Sequence, residues 1–167
     1  MKLTKAALLT GLLLVASTYA AQLALAETVV DLFEVNKEDH SAMQIAGKAT
    51  VGMKFAAESP FVAIDVSCPS WSNDIGSLTL SIYAWKNTYQ ESIGAKPIAS
   101  ETFVDFPDNA WLKLEVDSLQ EGDYLWVLGD GKEQVGIWKY PKSLHPATSF
   151  SNGKETKGDY QSRVFYE

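Results

Sequence analysis

Apolar and polar residues alternate along most of the chain after residue 27, and this alternation predicts β-strands. The clearest case is Leu78–Trp85, in which aliphatic side chains alternate with hydroxyls and rings. A two-residue period places successive side chains on opposite faces of a strand. One face of this strand therefore suits a core, and the other carries Tyr83 and Trp85 beside two hydroxyls, a combination suited to binding a sugar.

Similar short runs follow one another and predict an all-β fold. They are separated by Gly, Pro, Asn and Asp, which favour turns. The predicted strands are Thr28–Phe33, Ala42–Ile45, Thr50–Ala56, Phe61–Ser67, Leu78–Trp85, Ile98–Val104, Leu112–Val116, Asp123–Leu128, Val135–Trp138, Thr148–Phe150 and Tyr160–Tyr166. Regularly spaced short strands favour an antiparallel sandwich or barrel. Only Asn87–Ile93 suggests a turn of helix.

Two glycine-containing segments predict tight hairpins. Gly129-Asp130-Gly131 lies between the strands at 124–128 and 135–138, and Asn152-Gly153 follows the strand that ends at Phe150. Tight hairpin turns need positive φ angles, which Gly, Asn and Asp adopt most readily. We therefore expect the strands on either side of 129–131 to be neighbours in one sheet.

The first 26 residues have the features of a secretion signal. Lys2 and Lys5 precede the apolar stretch Ala6–Ala16, and Ala24–Ala26 is a small-residue cleavage site. The apolar stretch is too short for a spanning helix, and no later segment is apolar for the width of a membrane. Cleavage would leave 141 of the 167 residues, enough for one sandwich domain over 27–167. The sequence therefore predicts a secreted or periplasmic protein.

The charge of the mature chain limits the class of partner. The full chain has a net charge of −7, and removing Lys2 and Lys5 with the leader leaves −9. Nucleic-acid binding relies on clustered Lys and Arg, and anionic lipid surfaces also repel an acidic protein. We therefore expect neither nucleic acid nor membrane as a partner, and favour a neutral polysaccharide or oligosaccharide. The single cysteine, Cys68, is interpreted as a small buried apolar residue.

Five tryptophans must be divided between core and surface. Trp126 lies in a run that is apolar on both faces and is predicted to be in the core. Trp111 lies on the polar face of its strand, beside the turn Asp108-Asn109. Surface rings can stack on the C–H face of a sugar, and each hydrogen bond to a sugar hydroxyl contributes about 1 kcal/mol. A few contacts of each kind give a dissociation constant in roughly the millimolar to micromolar range.

Residues for catalysis are sparse. His40 and His145 are far apart in sequence and are interpreted as surface or loop residues, and no metal-protease or nucleophile-elbow motif is present. Glu115, Asp117 and Glu121 resemble the alternating carboxylates of laminarinase-like jelly-roll glycosidases, but the last falls one residue beyond that spacing. A solvated strand edge followed by a turn explains them better. No catalytic residue is predicted, and a small jelly-roll glycoside hydrolase or lyase is the alternative.

Six segments together resemble jelly-roll modules of the galactose-binding-like type, which are attached to secreted bacterial glycoside hydrolases and sugar-uptake proteins. The segments are Val51–Phe55, Ser59–Ile64, Leu78–Trp85, Asp108–Leu112, Gly122–Trp126 and Val135–Lys139. The resemblance implies an antiparallel jelly-roll β-sandwich of two sheets and roughly 8–10 strands. It further implies a lectin-like protein that binds carbohydrate without catalysis, with other secreted polysaccharide-degrading proteins as further partners.

Candidate sugar contacts follow from the resemblance and from neighbouring residues. The loop candidates are Trp71, Asn73, Asp74, Asp108, Asn109, Trp138 and Lys139, joined by Trp111 and Tyr140, which lie beside them in the sequence. Tyr83 and Trp85 represent binding on a sheet face instead. No cofactor is predicted, but such modules often hold a structural calcium ion, and Asn36–Asp39 or Ser72–Asp74 offers oxygen ligands. A structural, adhesin-like module is the third functional class.

Overall fold

The structure, a computed structural model, describes residues 27–35, 40–143 and 145–167, so the predicted leader lies outside the described residues. It confirms the all-β fold, with thirteen strands and one short helix in the described part. The strands are β1 (Thr28–Asp31), β2 (Ser41–Gln44), β3 (Val51–Ala57), β4 (Phe61–Cys68), β5 (Ser77–Ala84), β6 (Ala99–Val104), β7 (Ala110–Leu119), β8 (Gly122–Lys132), β9 (Gly136–Tyr140), β10 (Thr148–Ser151), β11 (Lys154–Thr156), β12 (Asp159–Tyr160) and β13 (Ser162–Tyr166). Helix α1 spans Tyr89–Ile93, inside the segment that suggested one turn.

Three antiparallel sheets are formed, where the sequence led us to expect two. A four-stranded sheet has the order β1-β13-β4-β7, and a six-stranded sheet has the order β11-β10-β3-β8-β5-β6. The third sheet has the order β12-β9-β2. The thirteen strands exceed the expected 8–10, in part because the short strands β11 and β12 are separate elements. The jelly-roll connectivity stays a prediction.

The core lies between the two larger sheets and is built from the faces that the alternation predicts. On β5, Leu78, Leu80 and Ile82 are fully buried in the main hydrophobic cluster. Thr79 and Ser81 point away from it, and their hydroxyls bond to those of the paired strand β6. Trp126 and Cys68 are also fully buried, as predicted.

The predicted hairpin at 129–131 is wrong. Strand β8 continues through these residues to Lys132, and the register against β5 shifts between Ser77 and Thr79. Asp130 has the expected positive φ of 53°, but it forms a bulge within one strand and not a turn between two strands. The following strand, β9, therefore leaves the six-stranded sheet and pairs with β2 and β12.

The hairpin at Asn152-Gly153 is confirmed. Ser151 pairs with Lys154, so these two residues form the whole connection between β10 and β11. Their φ angles are 49° and 75°, and two consecutive positive φ angles are what a two-residue hairpin of this kind requires.

The third sheet lies across one end of the sandwich. Its strand β9 is joined to the loop after β4 by a hydrogen bond of 3.1 Å from Gly136 N–H to the Pro69 carbonyl. On the other side, the Tyr160 hydroxyl donates to the Phe150 carbonyl on β10 at 3.2 Å. The third sheet thus connects both larger sheets. No helix in the described part of the chain is long and apolar enough to cross a membrane.

Candidate functional site

A row of rings runs along the outer face of β9. Trp138 and Tyr140 lie on the same face of this strand as Gly136. The Trp71 ring covers Gly136, since a Cβ atom at position 136 would be 2.9 Å from its Cη2. His40 contacts Trp138 and Tyr140, with ring centroids 5.0 Å and 5.5 Å apart. Phe33 stacks on Tyr140 at 5.3 Å. We call these five rings the aromatic strip.

The rings of the aromatic strip differ in exposure. Trp71 is 40 % exposed, and His40 is also exposed. Trp138 is half-buried, whereas Phe33 and Tyr140 are buried beside it. Four residue steps separate Gly136 from Tyr140, which corresponds to about 13 Å of strand. The surface available to a ligand therefore consists of Trp71, Trp138 and His40, with Tyr140 and Phe33 supporting them.

Asn109 fixes the orientation of Trp138. The Trp138 indole Nε1–H donates to Asn109 Oδ1 at 2.9 Å, and Asn109 Nδ2 donates to Asp108 Oδ2 at 3.2 Å. The indole plane is therefore held before any ligand arrives. A ring that is already ordered loses less side-chain entropy on binding than a mobile ring.

Asp108 ties the loop 69–76, which follows β4, to the loop 105–109, which precedes β7. Its carboxylate accepts hydrogen bonds from Ser70 N–H at 2.7 Å and from the Ser72 hydroxyl at 3.2 Å. Its own N–H donates to Asp74 Oδ1 at 2.9 Å. Desolvation raises the pKa of Asp108, but the hydrogen bonds from Ser70, Ser72 and Asn109 outweigh it, so the pKa lies below its usual value.

The same two loops contain five non-glycine residues in the left-handed backbone region. Their φ angles are 50° at Trp71, 63° at Ser72, 54° at Asp74, 51° at Asp105 and 62° at Asn109. Asn and Asp tolerate this conformation, but for a bulky residue such as Trp it is unfavourable. The bonds to Asp108 and Asp74 hold the backbone in this shape, and the shape places the Trp71 ring over β9.

We expect Asp108→Asn to loosen the loop 69–76 and to remove its response to acid. A carboxylate with a lowered pKa stabilises the folded form above its unfolded pKa of about 3.9, and this contribution is lost as the pH falls through the lower folded value. In the unmodified protein, the NMR signal of the Ser70 amide should therefore shift below about pH 4. An identical acid shift in the variant would show that another group controls this loop.

Tyr83 and Trp85 do not belong to the aromatic strip. They lie on the outer face of the six-stranded sheet, where they pack with Tyr89 of α1 and with Phe150 over the buried residues Leu125 and Val127. The Trp85 and Phe150 centroids are 5.8 Å apart, and Lys54 Nζ is 5.1 Å from the Trp85 ring. These rings cover a second small hydrophobic cluster, in which Tyr83 and Trp85 are half-buried.

Three other candidates also lie outside the strip. Trp111 is on the outer face of the four-stranded sheet, where the Arg163 guanidinium is 3.6 Å from its ring centroid. Lys139 is on the opposite face of β9 from Trp138, with its Nζ 5.5 Å from the Tyr160 ring, and desolvation lowers its pKa. Asn73 is exposed in the loop and accepts a hydrogen bond from the Ile75 N–H at 3.0 Å.

Sequence reasoning missed four residues at the strip. His40 precedes β2 and lies opposite Tyr140, because Ser41 pairs with Lys139. Phe33 supports Tyr140 from the segment after β1. Gln44, which pairs with Gly136, and Gln161, whose N–H donates to the Trp138 carbonyl, add amide side chains at the edges. For His40, Gln44 and Gln161, the signal is the pairing of β2 and β12 with β9, which the sequence does not state.

Metal-binding candidates are not assembled in the described part of the chain. No group of three or more His, Cys, Asp or Glu there is placed to hold a metal ion. The other calcium candidate, Asn36–Asp39, lies outside the described residues. Glu115 and Asp117 are exposed on β7, which is an edge strand, as the interpretation of a solvated strand edge predicts.

Comparisons with known proteins give no family for this chain. No protein-family model matches the sequence, and no curated protein matches it. The resemblance to galactose-binding-like modules therefore stays a prediction from short segments. The functional proposal rests on the aromatic strip and the loops that hold it.

Proposed function

We propose that the protein binds a neutral glycan through the aromatic strip and has no catalytic activity of its own. The observation that carries this proposal is the pair Trp71 and Trp138. The Trp71 ring covers Gly136, and Trp138 lies on the same face of β9 as Gly136. The Trp138 ring is held in place by its hydrogen bond to Asn109. Two partly exposed indoles side by side offer apolar faces on which successive sugar rings can stack.

Polar groups around the strip support a hydroxyl-rich ligand. The side chains of Gln44, Gln161 and Asn109 lie along its edges, and amides can both donate to and accept from sugar hydroxyls. Asp74 and Asp108 stand at one end, whereas the nearest lysine of β9, Lys139, faces the other side. Carboxylates at this end disfavour an anionic polymer, which leaves a neutral glycan as the preferred ligand.

We also propose that the protein acts outside the cytoplasm. Support comes from the leader-like sequence of residues 1–26 and from the composition of the remaining chain, which is acidic and has one cysteine. Secreted or periplasmic enzymes that degrade polysaccharides would then share its ligand. A binding protein in that location would hold the polymer while such enzymes act on it.

We expect Trp138→Ala to weaken glycan binding about tenfold. The substitution removes one stacking surface, and an aromatic contact contributes roughly 0.5–1.5 kcal/mol beyond its buried area. A loss of about 1.4 kcal/mol corresponds to a tenfold lower affinity. Binding would be measured by calorimetry and affinity electrophoresis with soluble β-glucan, xylan and galactan.

The matched control for that experiment is Trp85→Ala, which removes a half-buried indole from the outer face of the six-stranded sheet. Its glycan affinity should equal that of the unmodified protein. The reverse result, with binding lost in Trp85→Ala and kept in Trp138→Ala, would place the site on the sheet face. A broad glycan array with no response would overturn the proposed function itself.

A further inference from the structure

A cleft of about 600 Å³ opens between the two larger sheets, and its lining includes no residue of the aromatic strip. It is lined by Ser59, which precedes β4, whereas Trp71 follows β4. The eight residues of β4 separate Ser59 from Trp71 by roughly 26 Å, whereas Leu32 of the cleft is next in sequence to Phe33 of the strip. The volume falls within the ~300–1,000 Å³ typical of pockets for small ligands. The cleft and the strip are therefore separate features.

Core residues form the walls of the cleft. Leu32 and Phe55 line it and are also members of the main hydrophobic cluster, and Val30, Ala147 and Tyr166 extend the apolar surface outward. The cleft is accessible because β1 is the edge strand of the four-stranded sheet. An apolar group that entered would contact the interior of the sandwich and not only its surface.

The rim of the cleft is negatively charged. Its carboxylates belong to Glu58, Asp123 and Glu167, and its one ammonium group, that of Lys54, is 3.0 Å from Asp123 Oδ2. His145 also lines the cleft, and its Nδ1 accepts a hydrogen bond from Ala147 N–H at 3.2 Å. Desolvation lowers the pKa of His145, so the imidazole is mainly neutral at pH 7. Two carboxylates therefore lack a cationic partner on the rim.

We propose that this cleft is a second binding site, for a small amphiphile with an apolar body and a cationic group. The apolar body would lie between the sheets against Leu32 and Phe55. The cationic group would stay at the rim, near Glu58 and Glu167. This proposal does not depend on glycan binding, because none of the residues that line the cleft belongs to the aromatic strip.

The test uses three probes with the same alkyl chain: octyltrimethylammonium, octanol and octyl sulfate, each below its micellar concentration. We expect the ammonium probe to shift the amide signals of Thr28, Ala147 and Thr148 saturably in ¹H–¹⁵N NMR spectra. Octyl sulfate should bind at least about tenfold more weakly, because its charge repels the rim. No saturable shift at these amides, or equal binding of the sulfate and ammonium probes, would overturn the proposal.

Two matched charge variants locate the cationic group. Glu58→Gln removes an exposed rim carboxylate, and Glu101→Gln removes an exposed carboxylate from β6, away from the cleft. We expect Glu58→Gln to weaken binding of the ammonium probe about two- to fivefold. We expect Glu101→Gln to leave this affinity unchanged. Equal effects of the two substitutions would show that only the overall charge matters. Trp138→Ala should bind the probe normally, which separates this site from the glycan site.

Discussion

Replacing Arg163 with Met is expected to lower the free energy of unfolding by about 3–5 kcal/mol. Arg163 on β13 pairs directly with Asp65 on β4, and its Nε and Nη2 groups donate to both carboxylate oxygens. Asp65 is only 2 % exposed. Without the guanidinium, a buried carboxylate would remain with no opposite charge at bonding distance. The substitution would also remove the cation that stacks on Trp111.

The pH dependence identifies this mechanism. Burial raises the pKa of Asp65, while the hydrogen bonds and charge of Arg163 lower it. In the variant the lowering effects of Arg163 would be lost, and only the smaller effect of the Lys113 charge would still oppose the effect of burial. A carboxylate with a raised folded pKa carries no penalty below its unfolded pKa of about 3.9, and the penalty grows as the pH rises through the folded value. The loss of stability should therefore be smaller at pH 4 than at pH 7.

Urea unfolding followed by tryptophan fluorescence at both pH values would measure this effect. Lys113→Met is the matched comparison, because Lys113 pairs with Asp65 from β7 but lowers its pKa less than Arg163 does, and its ion pair with Glu27 is long, at 3.6 Å, and partly exposed. Removing the Lys113 ammonium group should lower the free energy of unfolding by less than about 1 kcal/mol. The double variant Asp65→Leu with Arg163→Met should recover part of the loss. An Arg163→Met effect no larger than the Lys113→Met effect would contradict the role of the buried pair.

The faces of individual strands could be predicted because the two-residue period is a local property of the chain. Leu78, Leu80 and Ile82 are buried where the alternation places them. The pairing of strands is not local. A positive φ at Asp130 fits a hairpin and a bulge equally well. The continuation of β8 beyond this residue is decided by its pairing with β5.

The part of the candidate site that lies in the loops could be predicted from the sequence. The part that depends on the third sheet of the fold could not. The loop after β4 and the loop before β7 meet because these strands are antiparallel neighbours, with Cys68 opposite Ala110. Side chains that follow or precede them in sequence must then lie at one end of the sandwich. Lys139 could have been separated from Trp138 by the same alternation, since adjacent residues of a strand face opposite sides. His40 could not be found, because its position depends on which strand pairs with β9.

Phe61→Ala is expected to lower the free energy of unfolding by about 3–5 kcal/mol. Phe61 begins β4 and is fully buried at the end of the sandwich opposite the aromatic strip. Its ring makes edge contacts with Tyr124 at 5.0 Å, Phe55 at 5.8 Å and Tyr166 at 6.4 Å. Truncation removes all three contacts and leaves a cavity between the sheets, which the surrounding rigid strands can fill only in part.

The matched comparison is Phe61→Leu, which keeps most of the apolar volume and should cost about 1–2 kcal/mol. Both variants would be measured by urea unfolding at pH 7. Phe55 and Tyr166 also line the cleft, so the alanine variant should change the affinity of octyltrimethylammonium. Glycan affinity should stay constant under conditions where the variant is folded, because the strip depends on β9 and the loops at the other end. Equal stability of the two variants would show that the cluster around Phe61 repacks and that this end of the sandwich is not rigid.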